Sequence, residues 1–141
     1  MTDITGRTRH VQVRFPREGG GTESLWCLQL DGGRFQVDNS PIFVYGISLG
    51  DVVAAQEGVA GSKVLTFAGV LEHGGHSTYR LYSDEEFSLA DGTFASWWER
   101  LNALGCTYEG YHAVILAVDV PPSADIHAVY RVLEQGEQAK A

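Results

Sequence analysis

The run Glu72-His73-Gly74-Gly75-His76-Ser77-Thr78-Tyr79-Arg80 is the densest set of reactive side chains in this chain of 141 residues. Side chains on a strand alternate between its two faces. A strand from His76 to Tyr82 therefore puts His76, Thr78 and Arg80 on one face, and Ser77, Tyr79 and Leu81 on the other. An imidazole, a hydroxyl and a guanidinium on one face suit an anionic small molecule or peptide. The guanidinium offers a planar fork to a carboxylate or phosphate, and the imidazole moves protons near neutral pH. His76 is then the candidate acid–base group and Arg80 the candidate anion anchor. The competing reading is a polar strand face with Arg80 paired to a surface carboxylate.

Other chemistries have less support. Gly75-His76-Ser77 is similar to the first half of a nucleophile elbow, which makes Ser77 a minor catalytic candidate. Tyr79 stands where the second glycine belongs, however, and the context is turn then strand rather than strand then helix. His73 and His76 have a ligand-like spacing beside Glu72, but two intervening glycines favour a hairpin tip, so neither metal nor cofactor is expected. Gly19-Gly20-Gly21 lacks the lysine and helix of a phosphate loop. Tyr45 to Asp51, with Trp26 and Asn39, mixes aromatics and a few polar groups as pocket mouths do. Trp26, Asn39, Tyr45, Asp51 and Thr78 are accordingly the candidate ligand-binding residues. The alternative is a loop that packs Phe43, Tyr45 and Leu49 inward, with Asp51 accepting hydrogen bonds from the loop backbone. Trp97-Trp98 reads as a core and rim pair, or as a partner-binding edge if Trp98 is exposed.

These groups need a scaffold, and composition bounds it. The chain is 44% hydrophobic and 20% charged, which suits one globular domain spanning 1–141. Acids outnumber bases 18 to 10, for a net charge of −8. Such a charge repels phosphate backbones, so no nucleic-acid partner is expected. Cys27 and Cys106 stand far apart and read as buried thiols. Met1 to His10 is polar, and no apolar run approaches the ~20 residues of a membrane helix. No membrane association and a cytoplasmic location are expected.

Residues 8–75 read mainly as β: His10–Phe15, Glu23–Leu30, Arg34–Asp38, Val52–Gln56 and Lys63–Glu72, with a hairpin signal at Asp31-Gly32-Gly33. Residues 76–137 read as α+β. Phe94, Trp97, Trp98, Leu101 and Leu104 share one helical face, between a cap at Thr93 and a stop at Gly105. Tyr111–Val120 is apolar enough for a central strand. Ser123 caps a last helix with a stripe of Ile126, Val129, Tyr130 and Leu133, and a frayed tail is expected from Gln135. The expected fold is α+β: a small barrel-like antiparallel β portion, then a βαββα layer, around one shared core.

The segments Glu23-Ser24-Leu25-Trp26, Asp38 to Phe43, Tyr45 to Val53, Gly75 to Arg80, Leu104 to Glu109 and Val118-Asp119-Val120-Pro121 carry a family signal. In this order they resemble a bacterial family, domain of unknown function 4265, over nearly the whole chain. The resemblance implies a stand-alone cytoplasmic protein and assigns no activity. Two functional expectations follow. One is a small enzyme, or enzyme-like ligand-handling protein, working through His76 and Arg80. The other is a non-catalytic accessory or immunity-type partner of another protein, for which an acidic surface suits a basic partner.

Overall fold

The computed structural model describes residues 9–58, 64–82, 92–111 and 114–139. Five strands make the first part: β1 (His10–Pro16), β2 (Thr22–Gln29), β3 (Arg34–Val37), β4 (Val52–Glu57) and β5 (Leu65–Glu72). Neighbours in sequence pair antiparallel, and β1 also pairs in parallel with β5 at Val13↔Leu65 and Arg14↔Thr66, closing a barrel. Alternation fills the interior. Val13 and Phe15 of β1, Leu25 and Cys27 of β2, and Phe35 and Val37 of β3 all point inward and are buried. Phe15 stacks on Phe67 with ring centroids 4.9 Å apart. Burying a side chain like Phe15 stabilises by about 2–3 kcal/mol.

The second part is β6 (Ser77–Tyr82), α1 (Gly92–Ala103), β7 (Thr107–Tyr111), β8 (Ile115–Val120) and α2 (Ile126–Ala139). Its sheet has the order β6-β8-β7 and is antiparallel throughout. The apolar run expected as one strand from Tyr111 is instead a hairpin of β7 and β8. Only Ile115–Val120 holds the central position, and from Leu116 on it is buried at every residue. Gly105, at φ +97, ends α1 as expected: the Cys106 N–H donates to the Leu101 carbonyl at 3.1 Å and the Gly105 N–H to that of Asn102 at 3.0 Å. The cap expected at Thr93 and the stripe member Phe94 fall outside the described side chains.

Helix α2 starts differently from expectation. The Asp125 carboxylate, not Ser123, accepts from the His127 and Ala128 N–H groups at 3.0 and 3.2 Å. Its buried stripe is Val129, Val132 and Leu133, while Ile126 and Tyr130 are exposed. The helix also continues through Ala139 instead of fraying at Gln135.

One shared core was expected; two clusters are found. The first lies inside the barrel and includes Val44 and Ile47 from the segment 38–51. The second lies between the sheet and the two helices, around Leu101, Cys106, Val118, Val120, Val129, Val132 and Leu133, with Tyr79, Leu81 and Trp97 packed against it. The Trp97 indole N–H donates to the Val132 carbonyl at 2.8 Å and ties α1 to α2. Between the clusters, segment 38–51 runs from β3 to β4 without strand structure. Polar residues on both sides of it explain the separation: burying them against apolar groups costs more than bonding them to one another.

Candidate functional site

The register of the three-stranded sheet decides which groups meet. Thr78 pairs with Asp119 and Asp119 with Thr107; Arg80 pairs with Ala117 and Ala117 with Glu109. These rows form the face toward segment 38–51. Ser77 pairs with Val120 and Tyr79 with Val118, both of the helix-facing core. Ser77 therefore lies on the opposite face from the histidine it was to serve, which removes it as a nucleophile beside His76.

The seam between barrel and sheet has two ends. At one end, Glu23 of β2 accepts the backbone N–H groups of Ile42, Phe43 and Val44 at 2.8, 3.0 and 3.0 Å. Arg80 of β6 takes the carbonyls of the same stretch: Nε donates to Ile42 at 2.8 Å, and Nη2 donates to Val44 and, at 3.4 Å, to Pro41. The Tyr45 ring covers the guanidinium at 4.6 Å. Arg80 is thus a clamp on segment 41–44. The carbonyls of this segment take up Nε and Nη2 of the residue expected to anchor a ligand anion.

Asn39 works in the same way. Its side-chain oxygen accepts the Trp26 N–H at 2.6 Å and its amide donates to Glu109 at 3.1 Å. Burial pushes the Glu109 carboxyl above the usual carboxylate range, against the lowering effect of hydrogen bonds from Asn39 and the Ser40 backbone. Trp26 points outward from β2 and is 50% exposed. It lines a shallow groove of about 350 Å³ with His10, Gln12, Arg14, Ser24 and Leu65 on the outer wall of the barrel. Neither His76 nor Asp119 lines this groove.

At the other end of the seam lies His76. Its Nδ1 is 3.0 and 2.9 Å from the two carboxylate oxygens of Asp119. The His76 side chain is 19% exposed and Asp119 is buried. An ionised carboxylate only accepts, so Nδ1 carries the proton in this pair and Nε2 is left without a hydrogen-bond partner among the described residues. Burial raises the proton affinity of Asp119, while the hydrogen bond and charge of His76 lower it. The Thr78 hydroxyl, next to Asp119 across the strands, bonds the Ser48 hydroxyl at 2.6 Å.

Asp51 holds the adjoining turns together. Its buried carboxylate accepts the Ser48 N–H at 2.9 Å and the Gly74 N–H at 2.8 Å, with exposed His73 at 3.4 Å. It binds backbone, as the alternative expectation had it. Among the described residues no group of three or more His, Cys, Asp or Glu side chains converges as a metal site. Trp98 packs in a T-shaped contact with Tyr108, 4.4 Å between centroids, and is half-buried. The missed partner, Asp119, had a readable signal: a lone acid inside the apolar strand Ile115–Val120, where a buried charge needs a partner.

The family described as a domain of unknown function, DUF4265, matches residues 23–141. The chain belongs to this family. Among solved structures it is similar to one titled "Novel crystal structure of a hypothetical protein from Neisseria gonorrhoeae", with a TM-score of 0.68 and 16% identity over 94% of this chain and 89% of that one. At that identity the likeness speaks for the fold alone. No curated protein matches the chain. None of the described helices is long and apolar enough to cross a membrane.

Proposed function

We propose that this DUF4265 member is a small enzyme, or an enzyme-like ligand-handling protein, whose working group is the His76–Asp119 pair. The observation that supports this most is the geometry at the imidazole. Nδ1 is bonded by a buried carboxylate at 2.9 Å, and Nε2 has no partner among the described residues. A carboxylate behind a histidine fixes its tautomer and stabilises the imidazolium that forms when Nε2 accepts a proton. Such a pair can take a proton from a bound small molecule or peptide and return it. Nε and Nη2 of Arg80 are engaged by carbonyls, so the proposal is carried by acid–base chemistry and not by an anion anchor.

The test is to incubate the protein with a metabolite extract and follow the mixture by mass spectrometry. Consumption of a compound by the wild type that stops in both His76→Ala and Asp119→Asn supports the reading. A compound consumed equally by all three proteins sinks it.

A second reading has one observation in its favour. Tyr45 and Tyr82 are 60% and 62% exposed. Large exposed aromatics suit a protein-interaction surface. In that case Tyr82→Ser abolishes capture of a host partner, and His76→Ala leaves it intact.

A further inference from the structure

The His76 ring lies where a side chain at position 50 would otherwise be. A Cβ on Gly50 would stand 3.0 Å from Cδ2, 3.2 Å from Nε2 and 3.9 Å from Cγ of the imidazole. The same residue is closed in from behind: a Cβ on Gly74 would fall 2.6 Å from the Gly50 carbonyl oxygen. Gly50 is held from the barrel. Its N–H donates to the Val37 carbonyl at 2.8 Å, its carbonyl accepts from the Gln36 amide at 3.3 Å, and the next residue, Asp51, accepts the Val37 N–H at 2.8 Å. The Asp51 carboxylate then fixes Ser48 and Gly74 around it.

We propose that Gly50 is a positioning residue of the acid–base pair: its missing side chain is the seat of the imidazole, and Asp51 sets that seat. This rests on the reading of His76–Asp119 as the working pair and deepens it. Two walls of the ring have different origins. Asp119 belongs to the sheet, and Gly50 belongs to the end of the barrel ladder. The orientation of Nε2 is therefore set by how barrel and sheet are docked. An L-residue at position 50 has to displace either the ring or the turn, because the nearest atoms are those of the imidazole itself.

A control for backbone strain is built into the same segment. Gly46 has φ +82, close to the +90 of Gly50, but nothing lies within 4 Å of where its Cβ would be. Gly46→Ala and Gly50→Ala therefore both put an alanine at positive φ, and only the second places a methyl group against His76. Nitrogen-15 NMR of the imidazole reads the result in the full chain. The Nδ1–H resonance of His76, held by Asp119, is expected in the wild type and in Gly46→Ala, and is expected to disappear or move in Gly50→Ala. A folded Gly50→Ala protein with the wild-type resonance overturns the proposal. Should Gly50→Ala not fold, the wild type decides alone. A nuclear Overhauser contact between the Gly50 α-protons and the ring proton on Cδ2 is expected, and its absence overturns the seat. The underlying acid–base reading fails separately, if Asp119→Ala, which removes every acceptor that Asp119 offers to Nδ1, leaves the Nδ1–H resonance of His76 in place.

Discussion

The two ends of the seam hold the same kinds of side chain and use them in opposite ways. At the Arg80 end, Glu23 takes three N–H groups of segment 42–44 and Arg80 takes the carbonyls of Pro41, Ile42 and Val44. At the His76 end, one ring nitrogen is bonded at 2.9 Å and the other is not bonded within the described structure. Charge at the first end is spent on fixing backbone that has no strand or helix of its own. Charge at the second end is arranged around one atom left open. Ionisable residues in a seam thus do not by themselves mark function; one set is engaged on backbone, and the other keeps a ring-nitrogen lone pair without a partner among the described residues.

The contrast can be broken by mutation. Arg80→Met leaves three carbonyls without their donor and should cost about 3 kcal/mol in urea unfolding. A loss well under 1 kcal/mol would mean that the clamp is dispensable. Glu23→Gln removes the charge that gathers three N–H groups and should cost about 2 kcal/mol in the same measurement. Asp119→Asn keeps an acceptor beside Nδ1, so stability should change by only about 1 kcal/mol, whereas any turnover should fall about 100-fold or more. Equal effects on stability and turnover would erase the distinction between the two ends.

The smallest effect has the opposite sign. The folded-state pKa of Glu109 is raised, chiefly by burial, so the folded protein holds that proton more tightly than the unfolded chain does. The resulting stability is fully present below the ordinary value of 4.5 and is lost as pH rises through the raised folded value. Glu109→Gln, neutral throughout, should flatten that part of the stability–pH curve and leave the protein slightly more stable at neutral pH. Thermal unfolding across the acidic range measures this, and an unchanged slope would remove Glu109 as its source.

Much of the scaffold was legible because its signals are periodic. Alternation in His10–Pro16 and Thr22–Gln29, the glycines after Asp31, and the stop at Gly105 each follow from local physics. The site was half legible. His76 stood out by type, but its partner lies 43 residues away and is set by the register of β6 on β8. Arg80 was placed on the correct face, but the carbonyls of 41–44 that its Nε and Nη2 hold are brought to it only by the fold. Segment 38–51 has no period to read; its course is dictated by side chains from β2 and β6. Asp125 displaced Ser123 as the cap of α2, since the choice between two good caps depends on where the helix docks.

The two cores also differ in a way that opens an experiment on how the molecule comes apart. Each contains one of the two cysteines: Cys27 sits in the barrel cluster and Cys106 in the cluster under the helices. Burial pushes the Cys27 thiol up to about 12 and raises that of Cys106 as well. Reaction with a thiol reagent requires thiolate and access, so both are silent while their own core is closed. Labelling followed by mass analysis of the two peptides then times the opening of each half separately. The natural chain already carries the reporters needed to learn whether barrel and helical layer unfold together or one after the other.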